Sequence, residues 1–241
     1  MRDLQAYLRP YGITNPARMV IRRGAALLIL AMDKFLHGRV LDIGCGEKAK
    51  RLLVNERVIE YVGLDHEGSL HDKSRVDLVG TAYRIPQPDD SFDGIVCTAV
   101  LEHLEEPKAA LAESFRVLKR GGHAIYTVPL FWHLHEEPRD FFRYTAHGLR
   151  YLFESVGYEV TRLDPASGFW LTFGSEWSYY LNTLARGRLR YVARTLTAIN
   201  NIVFPLLDRI DRRINPMNDK FTWMYLVVAR KPVGAAGAIH G

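Results

Sequence analysis

The sequence contains little cysteine and no long apolar run. Among its 241 residues only Cys45 and Cys97 are cysteines, which excludes a framework of several disulfides and favours a reducing compartment. The apolar run from Ala25 to Met32 is far shorter than the ~20 residues of a membrane-spanning helix, and it lies too deep in the chain for a signal peptide. We therefore expect a cytoplasmic protein.

Internal repeats and low-complexity segments are also missing, and 48% of the residues are hydrophobic, which predicts a globular chain with a sizeable core. The net charge of +5 is concentrated between Arg186 and Arg213. That concentration indicates an anionic partner, with a solvated helix face as the alternative. Nucleic acid is disfavoured, because the basic residues alternate with apolar ones and no nucleic-acid motif accompanies them.

Short apolar segments alternate with helical patterns along most of the chain. An amphipathic helix is predicted over residues 17–37. Strands are predicted at 39–42, 61–65, 76–79, 94–98, 123–128, 159–163 and 224–230, and helices at about 47–55, 107–120 and 146–156. This alternation predicts an α/β fold with a doubly wound parallel sheet.

A glycine turn follows the first predicted strand, in the segment VLDIGCGEKA at residues 40–49. Gly44, Gly46 and Ala49 form a G-x-G-x-x-A pattern, and Asp65 follows about twenty positions later. This is the dinucleotide-binding pattern, in which the acid accepts hydrogen bonds from ribose hydroxyls. Any adenosine ligand lying across the strand ends makes the same demands, so the pattern alone leaves NAD and S-adenosylmethionine open.

Asp42 favours one of the two ligands. Its carboxylate stands two residues before Gly44, where it would repel a pyrophosphate but suits a ligand with an ammonium group and a sulfonium. S-adenosylmethionine is therefore the predicted cofactor, and an NAD-linked oxidoreductase remains the less favoured alternative.

Four segments extend this interpretation: VLDIGCGEK, YVGLD, GTAYRIPQPDDSFDGIVCTAVLEHL and FRVLKRGGHAIYTVPL. Together they resemble the class I S-adenosylmethionine-dependent methyltransferases, and especially the group that methylates small molecules, quinones, lipids and glycans. The resemblance covers residues 39–163 and the final strand. It implies a Rossmann-like sheet of seven strands, mostly parallel with an antiparallel last strand.

The resemblance also implies the cofactor-binding residues. The glycine turn would lie against the methionine portion, the acid after the second strand against the ribose, the loop after the third strand against the adenine, and the segment after the fourth strand beneath the cofactor. These residues are Asp42, Gly44, Cys45, Gly46, Asp65, His66, Thr81, Ala82, Thr98, Ala99 and His103. The chain departs from the family pattern at Thr81, where an acid is frequent, and at Lys48, where a third glycine is frequent.

Methyl transfer to a hydroxyl group benefits from a base, and histidine accepts protons near neutral pH. His133 and His135, in the segment after the fifth parallel strand, are the first candidates, and His103 is the next. The run HLHEE also contains metal-ligand types in His133, His135 and Glu136. We predict no metal, because methyl transfer does not demand one and the sequence shows no other ligand cluster.

A long connection separates the last two predicted strands. The predicted organisation is a helical segment at 1–38, a core at 39–164 and 222–232, an inserted lid or acceptor pocket at 165–221, and a disordered tail at 233–241. The insertion is predicted to be helical over 175–214, interrupted at Gly187 and kinked at Pro205.

One face of this helical insertion is apolar, and it can pack on the core, on a second subunit or on an anionic membrane. The predicted activity is O-methylation of a small molecule, glycan or lipid-linked precursor. A protein that binds S-adenosylmethionine without turnover is the alternative.

Overall fold

The computed structural model describes residues 3–68 and 73–234, and its central feature is a seven-stranded sheet. The strands are β1 (Gly38–Ile43), β2 (Val58–Asp65), β3 (Leu78–Val79), β4 (Phe92–Thr98), β5 (Leu118–Pro129), β6 (Glu159–Pro165) and β7 (Met224–Arg230). Their order is β3-β2-β1-β4-β5-β7-β6. Strands β1 to β5 pair in parallel, and β7 is antiparallel to both β5 and β6. The predicted fold class is confirmed.

Six α-helices are defined in the described residues: α1 (Leu4–Leu8), α2 (Arg18–Phe35), α3 (Pro107–Val117), α4 (Ala146–Glu154), α5 (Phe169–Leu184) and α6 (Leu189–Ile214). Two of them begin as their sequences indicate. Pro107 occupies the first turn of α3, where its missing N–H costs nothing, and the Thr145 hydroxyl accepts a hydrogen bond from Gly148 N at the start of α4.

Helices cover both faces of the sheet. On one face, Leu28, Met32 and Leu36 pack against Val40 and Val96. On the other face, side chains of α3 and α4 pack on the same strands, including Leu111, Leu149 and Phe153. Because both faces are buried, the parallel strands carry continuous apolar runs rather than an alternating pattern. This sheet holds the carboxyl ends of β1, β2, β4 and β5 at one edge.

Two predicted elements are wrong near the glycine turn. Residues 47–55 were expected to form a helix, but only a 3-10 helix at Ala49–Leu53 is present, because Lys48 adopts a left-handed conformation with φ of 59°. The third strand was expected at 76–79 but spans Leu78–Val79. Asp77 is excluded from the ladder, since its carboxylate accepts a hydrogen bond from Gly63 N.

Other boundaries differ less. The helix expected at 107–120 ends at Val117, because Leu118 already pairs with Phe92 as part of β5. The insertion begins its first helix at Phe169 rather than at residue 175, and it breaks at Gly187 as predicted, where φ is 54°. Helix α6 continues through Pro205. Of the tail predicted at 233–241, residues 235–241 lie outside the described part of the chain.

The insertion packs against the N-terminal helical segment through polar groups. Asn201 on α6 donates hydrogen bonds to the carbonyl oxygens of Ile13 and Asn15. Between the two insertion helices, Asn182 donates to the Thr197 hydroxyl over 3.0 Å. The apolar face of α6 therefore points away from the core. Across the two described ranges, every helix is too short or too polar to cross a bilayer.

Candidate functional site

The turn after β1 requires glycine. Gly44 has φ of 66°, and a Cβ atom built there would lie 2.5 Å from Val100 Cγ2. The N–H groups of Gly44 and Cys45 both donate to the carbonyl oxygen of Leu64, at 2.9 and 3.1 Å. A side chain at Gly44 would therefore meet both a steric clash and an unfavourable backbone conformation. The turn lies at the carboxyl end of β1, against the end of β2.

Asp65 joins this turn to the end of β2. Its Oδ2 accepts a hydrogen bond from Gly46 N over 2.9 Å, and its Oδ1 accepts one from His66 N over 2.8 Å. Only 6% of the residue is exposed. Each carboxylate oxygen has two acceptor directions, so both can accept a further hydrogen bond from a ligand. The structure thus brings together three predicted cofactor-binding residues.

Asp42 differs from the sequence interpretation, which expected its carboxylate to face a ligand. The residue is fully buried, and its Oδ2 accepts a hydrogen bond from Tyr61 Oη over 2.9 Å. The other oxygen has no hydrogen-bond partner among the described residues. Burial raises the pKa of the Asp42 carboxyl above its usual range. Its direct contacts are therefore within the protein, where it holds β1 against β2.

The loop after β3 lies beside the same carboxylate. Gly80 N donates to the carbonyl oxygen of Asp65 over 3.1 Å, and Thr81 forms an isolated bridge with Arg84. Thr81 is exposed and Ala82 is half-buried. This loop is therefore tied to the end of β2 at Asp65.

The segment after β4 contains a conformation that the sequence did not indicate. Ala99 has φ of 52°, which is rare outside glycine, and its N–H donates to the Thr127 carbonyl oxygen over 2.9 Å. Such backbone strain costs about 1–3 kcal/mol and is concentrated at functional sites. Thr98 is half-buried and Ala99 is exposed. The strain supports a functional role for this segment.

His103 and His135 lie together at the ends of β4 and β5, with ring centroids 4.8 Å apart. His103 Nδ1 lies 2.5 Å from the Arg139 carbonyl oxygen, and burial lowers the pKa of His135. Glu102, which the sequence analysis missed, is buried beside them, and burial raises its pKa to about 8. The LEHL sequence offered a signal for it, since it places a carboxylate next to His103.

His133 stands apart from this pair. Its Nδ1 lies 3.2 Å from Oε2 of Glu176 on α5, and its ring is 4.5 Å from that of Tyr179. The centroids of His133 and His135 are 6.5 Å apart. The insertion therefore contacts the segment after β5 through a histidine and a carboxylate.

Arg143 orders the segment that carries these histidines. Its guanidinium donates to both oxygens of Asp140, at 2.6 and 2.7 Å, and to the carbonyl oxygens of Trp132 and His133. The contact with Arg143 holds the pKa of the Asp140 carboxyl well below its usual range. This bidentate ion pair fixes the conformation of the segment after β5.

A cavity of about 820 Å³ lies next to the glycine turn, between α1 and residues 47–61. Tyr7, Lys48 and Tyr61 line it, whereas Asp65, Thr81 and His103 do not. We do not assign the functional site to this cavity, because the predicted cofactor-binding residues and candidate bases lie at the carboxyl ends of the strands and not in the cavity wall.

Known proteins are similar to this chain over the residues that form this edge of the sheet. Residues 41–126 match the family model of a methyltransferase domain. An uncharacterized methyltransferase of Bacillus subtilis is 37% identical over 107 residues, 40% of this chain and 42% of that protein. A ubiquinone biosynthesis O-methyltransferase of Alkalilimnicola ehrlichii is 28% identical over 127 residues, 48% of this chain and 49% of that protein.

The chain thus spans about half or less of the length of these relatives. Among solved structures, a methyltransferase from Archaeoglobus fulgidus superimposes with a TM-score of 0.52 at 17% identity, over 81% of this chain and 86% of that one. At that identity the match shows the shared fold.

Proposed function

Because its methyltransferase domain places the chain in the class I S-adenosylmethionine-dependent methyltransferase family, we propose that it transfers a methyl group from S-adenosylmethionine to an oxygen atom. The observation that carries the proposal is the clamp between Gly46 and Asp65, in a turn whose Gly44 packs against Val100, next to the strained Ala99. The clamp brings the Asp65 carboxylate, which we propose binds the ribose, next to the backbone of the glycine turn, which the cofactor can approach closely.

The cofactor would lie across the carboxyl ends of β1, β2 and β4. The Asp65 carboxylate oxygens accept hydrogen bonds from the ribose hydroxyls, using acceptor directions that the protein leaves free. The turn at Gly44–Gly46 contacts the methionine portion. The adenine lies along His66, Thr81 and Ala82, and the segment from Thr98 through Ala99 to His103 lies beneath the cofactor. Asp42, through Tyr61, supports the turn from within.

The reaction needs little from the protein beyond positioning. An acceptor oxygen attacks the methyl carbon as the carbon–sulfur bond breaks, and the electron pair stays on sulfur, so that S-adenosylhomocysteine leaves. Alignment at near-attack distance can supply ~7–11 kcal/mol. For a hydroxyl acceptor, the proton must pass to a base.

Among the three candidate histidines we assign the general base to His133, because its partner carboxylate belongs to the insertion, where the acceptor is expected to bind. A carboxylate oxygen of Glu176 lies at its Nδ1, so Nδ1 carries the proton of the neutral ring and Nε2 is free to accept another. The same carboxylate would stabilise the imidazolium that forms. Trp132 and Tyr179 flank the ring and fix its orientation.

We further propose that the acceptor is lipid-linked, because α6 presents a stripe of exposed apolar side chains on the side opposite its buried residues. The stripe consists of Val192, Leu196, Ile199, Val203, Leu206 and Ile210, which recur at spacings of four and three and are 39–58% exposed. The buried residues of α6 are instead Ala193, Thr197, Asn201 and Asp208. Among the described residues, none of these six side chains belongs to a buried apolar cluster.

Charge indicates what covers the stripe. Arg186 and Arg188 directly precede α6, Arg190 and Arg194 lie in its first two turns, and Trp177 and Tyr180 are exposed on the neighbouring helix α5. A second copy would bring like charges together, whereas an anionic membrane surface complements them. Aromatic residues of this kind favour the headgroup region of a bilayer. The occupant we infer is therefore an anionic lipid surface.

Calorimetric titration with S-adenosylhomocysteine, with NAD titrated in parallel, tests the cofactor assignment. We expect binding of S-adenosylhomocysteine alone, at micromolar affinity or tighter. Binding of NAD alone would overturn the proposal in favour of an oxidoreductase. Methyl-labelled S-adenosylmethionine then distinguishes turnover from binding, since a protein that binds without labelling any lipid-linked, glycan or small-molecule acceptor is a non-catalytic binder.

Sedimentation with phosphatidylglycerol vesicles at low salt tests the membrane assignment. The double variant Ile199→Gln/Ile210→Gln should reduce the bound fraction at least about tenfold, because each isoleucine loses apolar burial in the lipid. Ile59→Gln is the matched control, since Ile59 is 87% exposed on β2. A dimer in ultracentrifugation that the double variant dissociates, without vesicle binding, would assign the stripe to a second copy.

A further inference from the structure

Three metal-ligand side chains meet where β4 and β5 end. Glu102 and His103 belong to the 3-10 helix Leu101–His103 after β4, and His135 belongs to the segment after β5. One ligand atom from each lies within 4.8 Å of the others. Adjacent parallel strands bring these residues to one edge although they are more than thirty positions apart in the sequence. Glu102 is buried, and the two histidines are half-buried.

The hydrogen-bond partners of the two histidines decide which ring nitrogens are free. His103 Nδ1 faces the Arg139 carbonyl oxygen at 2.5 Å, and His135 Nδ1 lies 3.3 Å from both the His133 carbonyl oxygen and Asp140 Oδ2. All of these partners can only accept. Each Nδ1 of a neutral ring must therefore donate, which leaves a lone pair on each Nε2. Metal-bound histidines have the same second partner, a carbonyl or carboxylate oxygen.

The carboxylates complete a ligand set. Glu102 Oε1 lies 3.9 Å from His103 Nε2, and Glu102 Oε2 is buried without a hydrogen-bond partner among the described residues. Such an oxygen is costly to bury unless something binds it. On the open side, Oε2 of Glu136 lies 3.8 Å from the same Nε2, and Glu136 has φ of 53°. His103 Nε2 is thus approached by carboxylate oxygens from two sides.

A rigid outer layer holds these groups in place. Asp140, whose side chain is 1% exposed, accepts hydrogen bonds from His135 N and from the Arg143 guanidinium. The backbone N–H of Phe141 donates to the Glu102 carbonyl oxygen over 2.9 Å, which ties the two ligand-bearing segments together. The cluster is therefore preorganised rather than formed by mobile surface side chains.

We propose that Glu102, His103 and His135 bind a divalent first-row transition-metal ion, with Glu136 as a further ligand. Two imidazoles and a carboxylate suit Zn²⁺, Mn²⁺, Fe²⁺ or Co²⁺ and leave open positions for an oxygen ligand. This set shares only His135 and Glu136 with the ligand run visible in the sequence, because Glu102 and His103 join it through the fold and His133 turns to Glu176 instead. If the proposed methyl transfer holds, the ion would orient the acceptor hydroxyl and ease its deprotonation for His133.

Titration of the full chain with Zn²⁺, after EDTA treatment and buffer exchange, tests the proposal. We expect one tight site per chain and a visible absorption spectrum when Co²⁺ replaces Zn²⁺. His103→Asn and His135→Asn should each weaken Zn²⁺ binding by on the order of 100-fold, and Asp140→Asn by about 10–100-fold. His147→Asn is the matched control, since His147 is exposed on α4 and should leave the affinity unchanged.

Thermal melting of each variant separates loss of ligand from loss of fold, and the Zn²⁺-induced rise in melting temperature gives a second readout. No tight site in the full chain, or a site that is as tight in His103→Asn and His135→Asn as in His147→Asn, would overturn the proposal. S-adenosylhomocysteine titrations of the same samples keep the two proposals distinct, because cofactor binding without Zn²⁺ binding refutes only the metal site.

Discussion

The N–H group of Gly46 donates to Oδ2 of Asp65 over 2.9 Å, so the carboxylate proposed to bind ribose is also the clamp of the glycine turn. The proposed ligand recognition and the local order of the turn therefore depend on one side chain. A substitution at Asp65 removes both at once, and the two effects have to be measured separately.

Asp65→Ala should weaken S-adenosylhomocysteine binding by ~1.5–3 kcal/mol, because it removes a charged hydrogen-bond acceptor. Calorimetry measures this loss, and chemical unfolding measures the accompanying loss of stability. Asp77→Asn is the control, since Asp77 contacts Lys48 beside the turn and Gly63 of β2 and is not one of the proposed cofactor-binding residues. Unchanged affinity in Asp65→Ala would refute the ribose assignment.

Gly44→Ala should lower the free energy of unfolding by more than the ~1–2 kcal/mol of a left-handed non-glycine residue, because its Cβ also meets Val100. Gly187→Ala isolates the conformational cost, since Gly187 has φ of 54° and no heavy atom within 4 Å of an added Cβ. The added Val100→Ala change should recover part of the stability of Gly44→Ala. Equal losses in the two alanine variants would argue against the clash.

His133→Asn should reduce the rate of methyl transfer by ~10²–10⁴-fold while the affinity for S-adenosylhomocysteine is retained, as expected of a general base. Glu176→Gln should reduce the rate less, because the ring keeps a hydrogen-bond acceptor but loses the charge that stabilises the imidazolium. Single-turnover measurements with a labelled methyl donor give both values. A full rate in His133→Asn would assign proton removal to another group.

The ion pair of Glu113 and Arg116 should make stability depend on acid pH. Hydrogen bonds of 2.7 and 2.8 Å from Arg116 lower the pKa of Glu113, so the pair stabilises the fold above the ordinary glutamate pKa. That stability is lost as the pH falls through the lowered pKa in the folded state. Glu113→Gln should cost about 1 kcal/mol at pH 7 and progressively less as the pH falls through the lowered pKa of Glu113, as measured by urea unfolding.

Glu154→Gln serves as the comparison for that measurement. Glu154 pairs with Arg150 one helical turn away, and both side chains are 48% exposed, so solvent screens the pair. The expected change in unfolding free energy is smaller at every pH. A loss in Glu113→Gln that does not shrink at any pH below neutral at which the protein stays folded would show that packing, and not charge, accounts for it.

The parts of the fold that depend on local patterns were predictable. Apolar runs located β1, β4 and β5, and the caps at Pro107 and Thr145 located the starts of α3 and α4. The parts set by distant neighbours were not. Asp77 leaves β3 because Gly63 and Lys48 bind it, and α3 stops at Val117 because β4 captures Leu118.

The same division holds for the candidate site. The glycine turn and Asp65 were visible as a spacing, since that spacing encodes a strand, a turn and a second strand. Three features needed the fold: the burial of Asp42 against Tyr61, the left-handed Ala99, and the meeting of Glu102 with His135. Each depends on which strands are neighbours, and a linear sequence does not state that order.

Strand β7 lies between β5 and β6, although it follows β6 by almost sixty residues of insertion. As the chain leaves the ribosome, β6 emerges at the edge of an unfinished sheet, and the apolar helix α6 emerges before the strand that completes the sheet has been made. The sheet closes only when residues 224–230 are available. Synthesis thus leaves an interval in which the apolar stripe of α6 is exposed and the sheet is incomplete, so under the proposed membrane contact attachment can precede completion of the sheet.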